Sequence, residues 1–399
     1  MKRIFGSTTF LALPRSFHFL PKQPDLPADY PPGLYDESKV PKYSLPDPLV
    51  LLNGKRVTDI KTWQEKRRPE ILNLFSTYVY GRTMVGRPEE MNWEVVSEDR
   101  KGMNESAIVR KVAIYFTAKK EWPAISLNIV LPNHASKPSP VFLVPGWVKD
   151  PQTLLKRGFG SVTFNPWLIE PDKKDSAYMM GIRKFYDKPG QTQPDSEEWG
   201  SIGVWAWAMS RAMDYLEIDR DIDAKKVSIM GVSRFGKVVM WAGAQDERFA
   251  IVFSCESGCG GAVIIRRGFG ETLTAINGYA PHWFDGRFKE YNDRVNDLPV
   301  DWHMLVAAMA PRPVYISTAE QDYWGDQHGS FLSGKFAQPA YTLFGEKGLG
   351  VDEEPPVETP VGDFIGYHKR KGTHGLNEYD WEQYLNFADR HFGLGKAKD

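Results

Sequence analysis

"KKVSIMGVSRFGKVVMWAGAQ", residues 225–245, is the stretch on which the fold turns. Val227, Ile229 and Met230 make a short apolar strand, and the residues from Gly236 onward carry helical spacing. Between them, Gly231 and Gly236 flank Ser233 and Arg234. A chain that reverses from strand to helix in so few residues needs small neighbours, because bulky flanks would collide in the turn. Such a turn lifts a serine hydroxyl to the end of a sheet, the place of a nucleophile elbow. The usual form is G-x-S-x-G. Here the second glycine comes one place late, as G-x-S-x-x-G, with Arg234 directly after the serine. The competing reading is plainer: serine is a favoured helix N-cap, and Ser233 would then only accept from N–H groups of the first turn. The strand before and the helix after favour the elbow.

Outward from this turn the pattern repeats. "PVFLVPGW" (140–147), "GSVTFN" (160–165), "FAIVFSCES" (249–257), "PVYISTAE" (313–320) and "AYTLFG" (340–345) read as buried strands. "SIGVWAWAMSRAMDYLE" (201–217) and "YDWEQYLNFADRHF" (379–392) have helical spacing. Strands alternating with helices predict a mostly parallel sheet covered on both faces. Upstream, "WEVVSE", "AIVRKVAIYF" and "AISLNIVLP" alternate and predict antiparallel strands. An antiparallel start feeding a parallel sheet is an α/β-hydrolase architecture. Residues 1–45 are proline-punctuated and read as an extended arm, with a signal-like start at 1–20 that lacks a clear cleavage site. Residues 46–399 read as one catalytic domain, with an insert over about 266–300 above the sheet.

Composition narrows the classes. Fifty basic against fifty-one acidic residues leave a formal net charge of −1, so no global field draws nucleic acid or an anionic membrane. No apolar run approaches the roughly 18 residues of a membrane span. Thirteen Trp and seventeen Tyr favour a carbohydrate ligand, whose rings stack on aromatic faces. The two cysteines, Cys255 and Cys259, form no disulfide framework and no zinc set, and are expected free and buried. No metal or other cofactor is expected.

A serine nucleophile needs a base, and in this fold the chain order is nucleophile, acid, histidine. Of eight histidines, His18 and His134 precede Ser233; His282 and His303 lie in or beside the insert, His328 close after a strand, and His391 inside the last helix. His374, on a Gly-flanked loop in "KRKGTHGLNEYDW", is the best placed, and His368 is second. Two acids compete. Asp322 follows the strand "PVYIS", and Glu256 ends the strand after the nucleophile's helix; Glu320 and Asp326 are nearby decoys.

Four stretches then resemble a known family: "WAWAMSRAMDYLEIDRDIDAKKVSIMGVSRFGKVVMWAGAQDERFA", "ESGCGGAVIIRRGFGE", "APHWFDGRFKEYNDRVNDLPVDWHMLVAAMAPRPVYISTAEQDYWGDQHGSFL" and "YHKRKGTHGLNEYDW". They are similar to the bacterial branch of carbohydrate esterase family 15, the glucuronoyl methylesterases, from roughly residue 90 to the C-terminus. The motif G-x-S-R-x-G-K departs from the general elbow in the way this chain does. The resemblance implies an α/β-hydrolase that needs no metal and hydrolyses the ester between 4-O-methylglucuronic acid branches of xylan and lignin alcohols. By the match, Ser233 is the nucleophile and His374 the base. Asp322 and Glu256 share the acid's role, since some members carry one, some the other and some both. Arg234 resembles the family's oxyanion-hole arginine, and Lys237, Glu271 and Trp324 match positions that contact the sugar. The resemblance also implies a secreted or periplasmic protein acting on glucuronoxylan or lignin–carbohydrate esters. Phe235 and the following "VVM" are bulkier than is common after this elbow. The rival activity is a xylan acetylesterase; the rival class is a catalytically silent carbohydrate-binding protein.

Overall fold

In the computed structural model, residues 10–11, 26, 30–83, 85–133 and 137–394 are described; His18, His134 and most of the signal-like start fall outside them. Nine strands form one sheet: β1 (Asn92–Lys101), β2 (Ala107–Tyr115), β3 (Ala124–Pro132), β4 (Ser139–Pro145), β5 (Gly160–Phe164), β6 (Ile222–Val232), β7 (Ile251–Cys255), β8 (Val314–Ala319) and β9 (Ile365–Arg370). Their spatial order is β9-β8-β7-β6-β4-β5-β3-β2-β1. β1, β2, β3 and β5 pair antiparallel in that succession; β5, β4, β6, β7, β8 and β9 run parallel. Burial follows the sequence pattern. β2 and β3 alternate between buried and less buried residues, whereas β4, β7 and β8 are buried throughout. A strand covered on both faces has no polar side to show.

Two separate clusters fill the two faces. On one, the helices Ser201–Leu216 and Arg234–Gln245 pack together, and Trp205, Trp241 and Trp302 are fully buried. On the other, Phe142, Phe253, Tyr315 and Trp381 pack around the last helix, Glu378–Phe392. β4 sits between β6 and β5, so the chain's progress across the sheet reverses there. In sheets of this kind, ligands bind in the crevice at such a reversal, beyond the carboxyl ends of the strands.

One expected element is corrected. "AYTLFG" is not a strand: residues through Leu343 belong to the helix Gln327–Leu343. Pro339 lies inside that helix and mimics an element boundary, while Ala337, Ala340 and Tyr341 are buried at helical spacing. The last strand is β9, missed because its "IGYHKR" is half polar, and it leaves His374 in the loop that follows.

The described part of the arm lies against the insert. The Gly270 N–H donates to Leu34 O (2.8 Å), Tyr35 packs edge-on against Phe269, and Arg267 pairs with Glu37 (2.6 Å).

Candidate active site

Ser233 joins β6 to the helix Arg234–Gln245 with φ +57° and ψ −125°. A non-glycine residue held there costs of order 1–3 kcal/mol, which the surroundings must impose. Its side chain makes no capping bond, so the N-cap reading fails. The two glycines explain the motif's spacing. A Cβ on Gly231 would sit 2.1 Å from the Phe235 carbonyl oxygen, inside the turn itself. A Cβ on Gly236 would sit 2.7 Å from Ser257 Cβ, where the new helix crosses the loop after β7. The late glycine therefore answers to the neighbouring loop, not to the turn.

Ser233, Arg234, Lys237, Glu256, Glu271, Asp322, Trp324 and His374 all line one cavity of about 290 Å³. The eight positions singled out from the sequence are thus brought together. The His374 Nδ1 is 2.8 Å from Asp322 Oδ2 and 3.2 Å from Glu256 Oε2. Both acids engage the same ring nitrogen, leaving Nε2 as the atom available for proton transfer. The hydrogen bond that His374 Nδ1 donates to Asp322 raises the His374 pKa above its ordinary value against the opposing effect of burial, with the Asp322 and Glu256 charges adding to it.

The two acids differ in surroundings. Burial pushes the Glu256 carboxyl up to about 8, and the Asp322 charge adds to this, while Gly375 N–H, His374 and Arg370 oppose it. Glu256 Oε1 accepts from Arg370 Nη2 (2.7 Å) and Oε2 from the Gly375 N–H. Arg370 also donates to Asp380 (2.8 Å) and to the carbonyls of Thr373 (3.0 Å) and Gly375 (2.7 Å), which pins the loop carrying His374. Glu256, Asp322 and His374 bring donor atoms within 4.8 Å of one another, a spacing a cation could use. Both Glu256 oxygens already have protein donors, so the set fits a hydrogen-bonded triad better than a metal centre.

Arg234 is aimed by its neighbours. Its guanidinium pairs with Asp172 Oδ2 and lies 5.2 Å from the Trp283 ring centroid. Asp172 Oδ1 accepts from His282 Nε2 (2.8 Å) and Trp283 Nε1 (2.7 Å). Burial alone would raise the Asp172 pKa; the His282 and Trp283 hydrogen bonds and the Arg234 charge outweigh it and bring it to about 2. Asp172 is therefore a fixed anion that holds a cation beside Ser233.

Glu271 is the hub of the opposite wall. It accepts from Lys237 Nζ (3.2 Å), Cys259 N–H (2.9 Å), Trp324 Nε1 (3.2 Å) and the Tyr279 hydroxyl. Lys237 Nζ also donates to Ser257 O (2.5 Å). Lysine, tyrosine and tryptophan donors around a carboxylate form a polar surface suited to a hydroxylated ring. The arm contributes as well: Tyr30 and Pro31 line the cavity, and the Tyr30 hydroxyl accepts from Trp324 N–H (3.0 Å).

The other histidines have different work. His368, on β9, is buried between the Tyr315 hydroxyl (2.9 Å) and Asp380 (2.9 Å). His303 bonds Pro46 O (2.8 Å), and burial drops its pKa to about 3. His391 bonds Asp363 O (2.9 Å) and His328 faces Glu354 (3.4 Å). Cys255 and Cys259 are free and buried. Asp172, Tyr279, His282, Trp283 and Arg370 were missed. Asp172 sits in "EPDKKD", which reads as a solvated turn, and its partners lie 62 to 111 residues downstream.

A family model for glucuronyl esterases of fungi matches residues 114–345. A solved glucuronoyl esterase from Solibacter usitatus is 43% identical, with a TM-score of 0.85 over 89% of this chain and 100% of that one. A promiscuous esterase of carbohydrate esterase family 15 from a marine bacterial metagenome is 40% identical, with a TM-score of 0.82 over 90% of this chain and 100% of its own. The 4-O-methyl-glucuronoyl methylesterase of Schizophyllum commune is 30% identical over 80% of this chain and 77% of that protein.

Proposed function

The chain belongs to the glucuronoyl esterases of carbohydrate esterase family 15, and on that premise we propose how its own residues hydrolyse esters of 4-O-methylglucuronic acid. Ser233 Oγ attacks the C6 carbonyl of the glucuronate ester while His374 Nε2 takes its proton. Asp322, on Nδ1, keeps the ring in the tautomer that leaves Nε2 free and balances the imidazolium that forms. Negative charge on the carbonyl oxygen is met by the Arg234 guanidinium and backbone N–H, groups already in place before the reaction. His374 then gives its proton to the departing alcohol oxygen. Water attacks the acyl-enzyme with His374 again as base, and glucuronate leaves with Ser233 restored. Lys237, Glu271 and Trp324 hold the sugar.

The observation that carries this reading is the meeting of Ser233, in its strained turn, with His374 and the Lys237–Glu271–Trp324 wall in one cavity. Lignin–carbohydrate esters of glucuronoxylan are the polymeric form of such a substrate. A polymer does not cross a membrane unaided, so the enzyme works where the polymer lies, outside the cytoplasm. Among the described residues no helix is long and apolar enough to cross a membrane.

The test compares methyl and benzyl glucuronate with acetylated xylan. A site that pairs buried polar groups with sugar hydroxyls rejects substrates lacking them, so glucuronate esters are expected to lead by roughly 10²-fold or more in kcat/KM. Preference for the acetyl substrate would establish the acetylesterase instead. Failure of a serine-directed phosphonate to label Ser233 would favour a silent binding protein. A second prediction concerns Asp172. Asp172→Asn leaves Arg234 without its charged partner and is expected to lower kcat by roughly 10- to 100-fold, the scale of a misplaced catalytic group. Stopped-time assays on benzyl glucuronate read the loss.

A further inference from the structure

Three segments distant in the chain are layered along one side of the catalytic cavity: residues 30–37 of the arm, residues 267–271 of the insert, and the loop 322–326 that carries Asp322 and Trp324. Arg267 ties them together. It is buried, pairs with Glu37 of the arm (2.6 Å) and donates through Nε to Asp326 (2.8 Å), at the end of the acid's loop. Backbone bonds align the layers: the Gly270 N–H donates to Leu34 O and the Glu271 N–H to Trp324 O, both at 2.8 Å. The approach is close enough to require glycine at Gly270, where φ is +61° and a Cβ would sit 2.5 Å from Trp324 O. On the arm, the Tyr35 hydroxyl donates to Pro31 O (2.6 Å), and the Tyr35 ring meets Tyr30 edge-on at 5.3 Å. These contacts deliver Tyr30 to the cavity wall beside Trp324. Its hydroxyl is only half used there. The oxygen accepts from Trp324 N–H (3.0 Å), and among the described residues no acceptor takes its proton. Burial raises the Tyr30 pKa, opposed by the Trp324 N–H and aided by the Asp322 charge, so the proton stays in place wherever His374 works as a base.

We propose that Tyr30 donates its hydroxyl proton to one of the oxygens O2, O3 or O4 of the bound glucuronate, and that the Glu37–Arg267 pair holds the arm in the position from which it does so. The inference rests on the proposed reaction, in which Lys237, Glu271 and Trp324 hold the sugar. Those three already pair with one another, since Lys237 Nζ and Trp324 Nε1 both donate to Glu271. The wall therefore offers the sugar a shared acceptor and few unspent donors. A sugar oxygen that gives up its water needs a donor in exchange, or its desolvation goes uncompensated. Tyr30 supplies one from outside the sheet and the insert. A neutral donor that serves the sugar equally before and during the reaction acts on binding, so its effect belongs in KM and not in kcat.

The experiment measures by calorimetry the Kd of methyl glucuronate and of its 2-, 3- and 4-deoxy analogues in Ser233→Ala, which does not consume the ester. The same background then carries Tyr30→Phe, Glu37→Lys or both. Tyr30→Phe should raise the Kd of methyl glucuronate roughly three- to tenfold, the scale of one neutral hydrogen bond. Against the one analogue that lacks the contacted oxygen, that penalty should vanish. In the enzyme with Ser233 restored, the loss should fall in KM with the pH midpoint unmoved. Glu37→Lys sets a cation against Arg267 and releases the arm. It should weaken binding at least as much, and adding Tyr30→Phe to it should change nothing further. An unchanged Kd in Tyr30→Phe, or an equal penalty on all three analogues, overturns the sugar contact, as does a moved midpoint, which would make Tyr30 a partner of Asp322. Full additivity in the double variant overturns the arm's part in it. Each of these outcomes leaves the esterase reading intact. If Ser233→Ala with an unaltered arm binds no glucuronate ester, the proposed reaction itself fails and the contact falls with it.

Discussion

Ser233→Ala is expected to lower kcat on benzyl glucuronate by roughly 10⁴- to 10⁶-fold, with folding intact. The loss is large because a triad acts as a unit: without the hydroxyl, His374 and Asp322 have no proton to move and no acyl-enzyme forms. What survives is the binding of the sugar and the charge of Arg234, which together still exceed uncatalysed hydrolysis. Alanine should leave stability near its original value, since the cost of φ +57° remains and the side chain makes no capping bond. Ser233→Gly separates strain from chemistry. It is equally inactive, but glycine enters this backbone region freely, so its melting temperature should rise. Retained turnover in either variant would remove Ser233 from the mechanism. A fall in stability for Ser233→Gly would mean the turn is not strained by function.

Asp322→Asn is expected to cost roughly 10³- to 10⁴-fold in kcat, because an amide on Nδ1 no longer fixes the reactive tautomer or balances the imidazolium. Glu256→Gln should cost less than Asp322→Asn, because Glu256 lies farther from Nδ1 (3.2 Å against 2.8 Å) and its oxygens are already engaged by Arg370 and the Gly375 N–H. The pH profile adds a second reading. The working base is neutral His374, and its pKa is raised from the ordinary 6.5, chiefly by the Asp322 hydrogen bond. Activity should therefore rise with pH through a midpoint above 6.5 in the wild type, being lost at low pH as the imidazole protonates. In Asp322→Asn that support is gone and the midpoint should move to lower pH. If Glu256→Gln instead carries the larger loss and the larger shift, the two acids exchange roles.

How much of this was readable in advance depends on how far apart the interacting residues lie in the chain. Ser233 was legible because its signal is local: a buried strand, two glycines and a helix within twenty-one residues. His374 and Asp322 were placed by chain order and loop position, and Lys237, Glu271 and Trp324 by the family resemblance; what the structure adds is that all of them line one cavity. "AYTLFG" misled because six apolar-rich residues after a proline carry no period long enough to separate a helix end from a strand. β9 escaped for the converse reason, since its polar residues are satisfied by tertiary partners such as Asp380.

The alternation of strands and helices and the site of the reversing turn follow from periodicity and backbone sterics, which act between near neighbours and so are written along the chain. The hold of Asp172 on Arg234, the grip of Arg370 on the His374 loop, the unequal burial of two acids on one imidazole nitrogen and the docking of the arm beside Trp324 do not. Each depends on charges and surfaces brought together from distant segments, and a carboxylate's pKa or a tryptophan's exposure is set by what folds against it. Residue type alone carries neither.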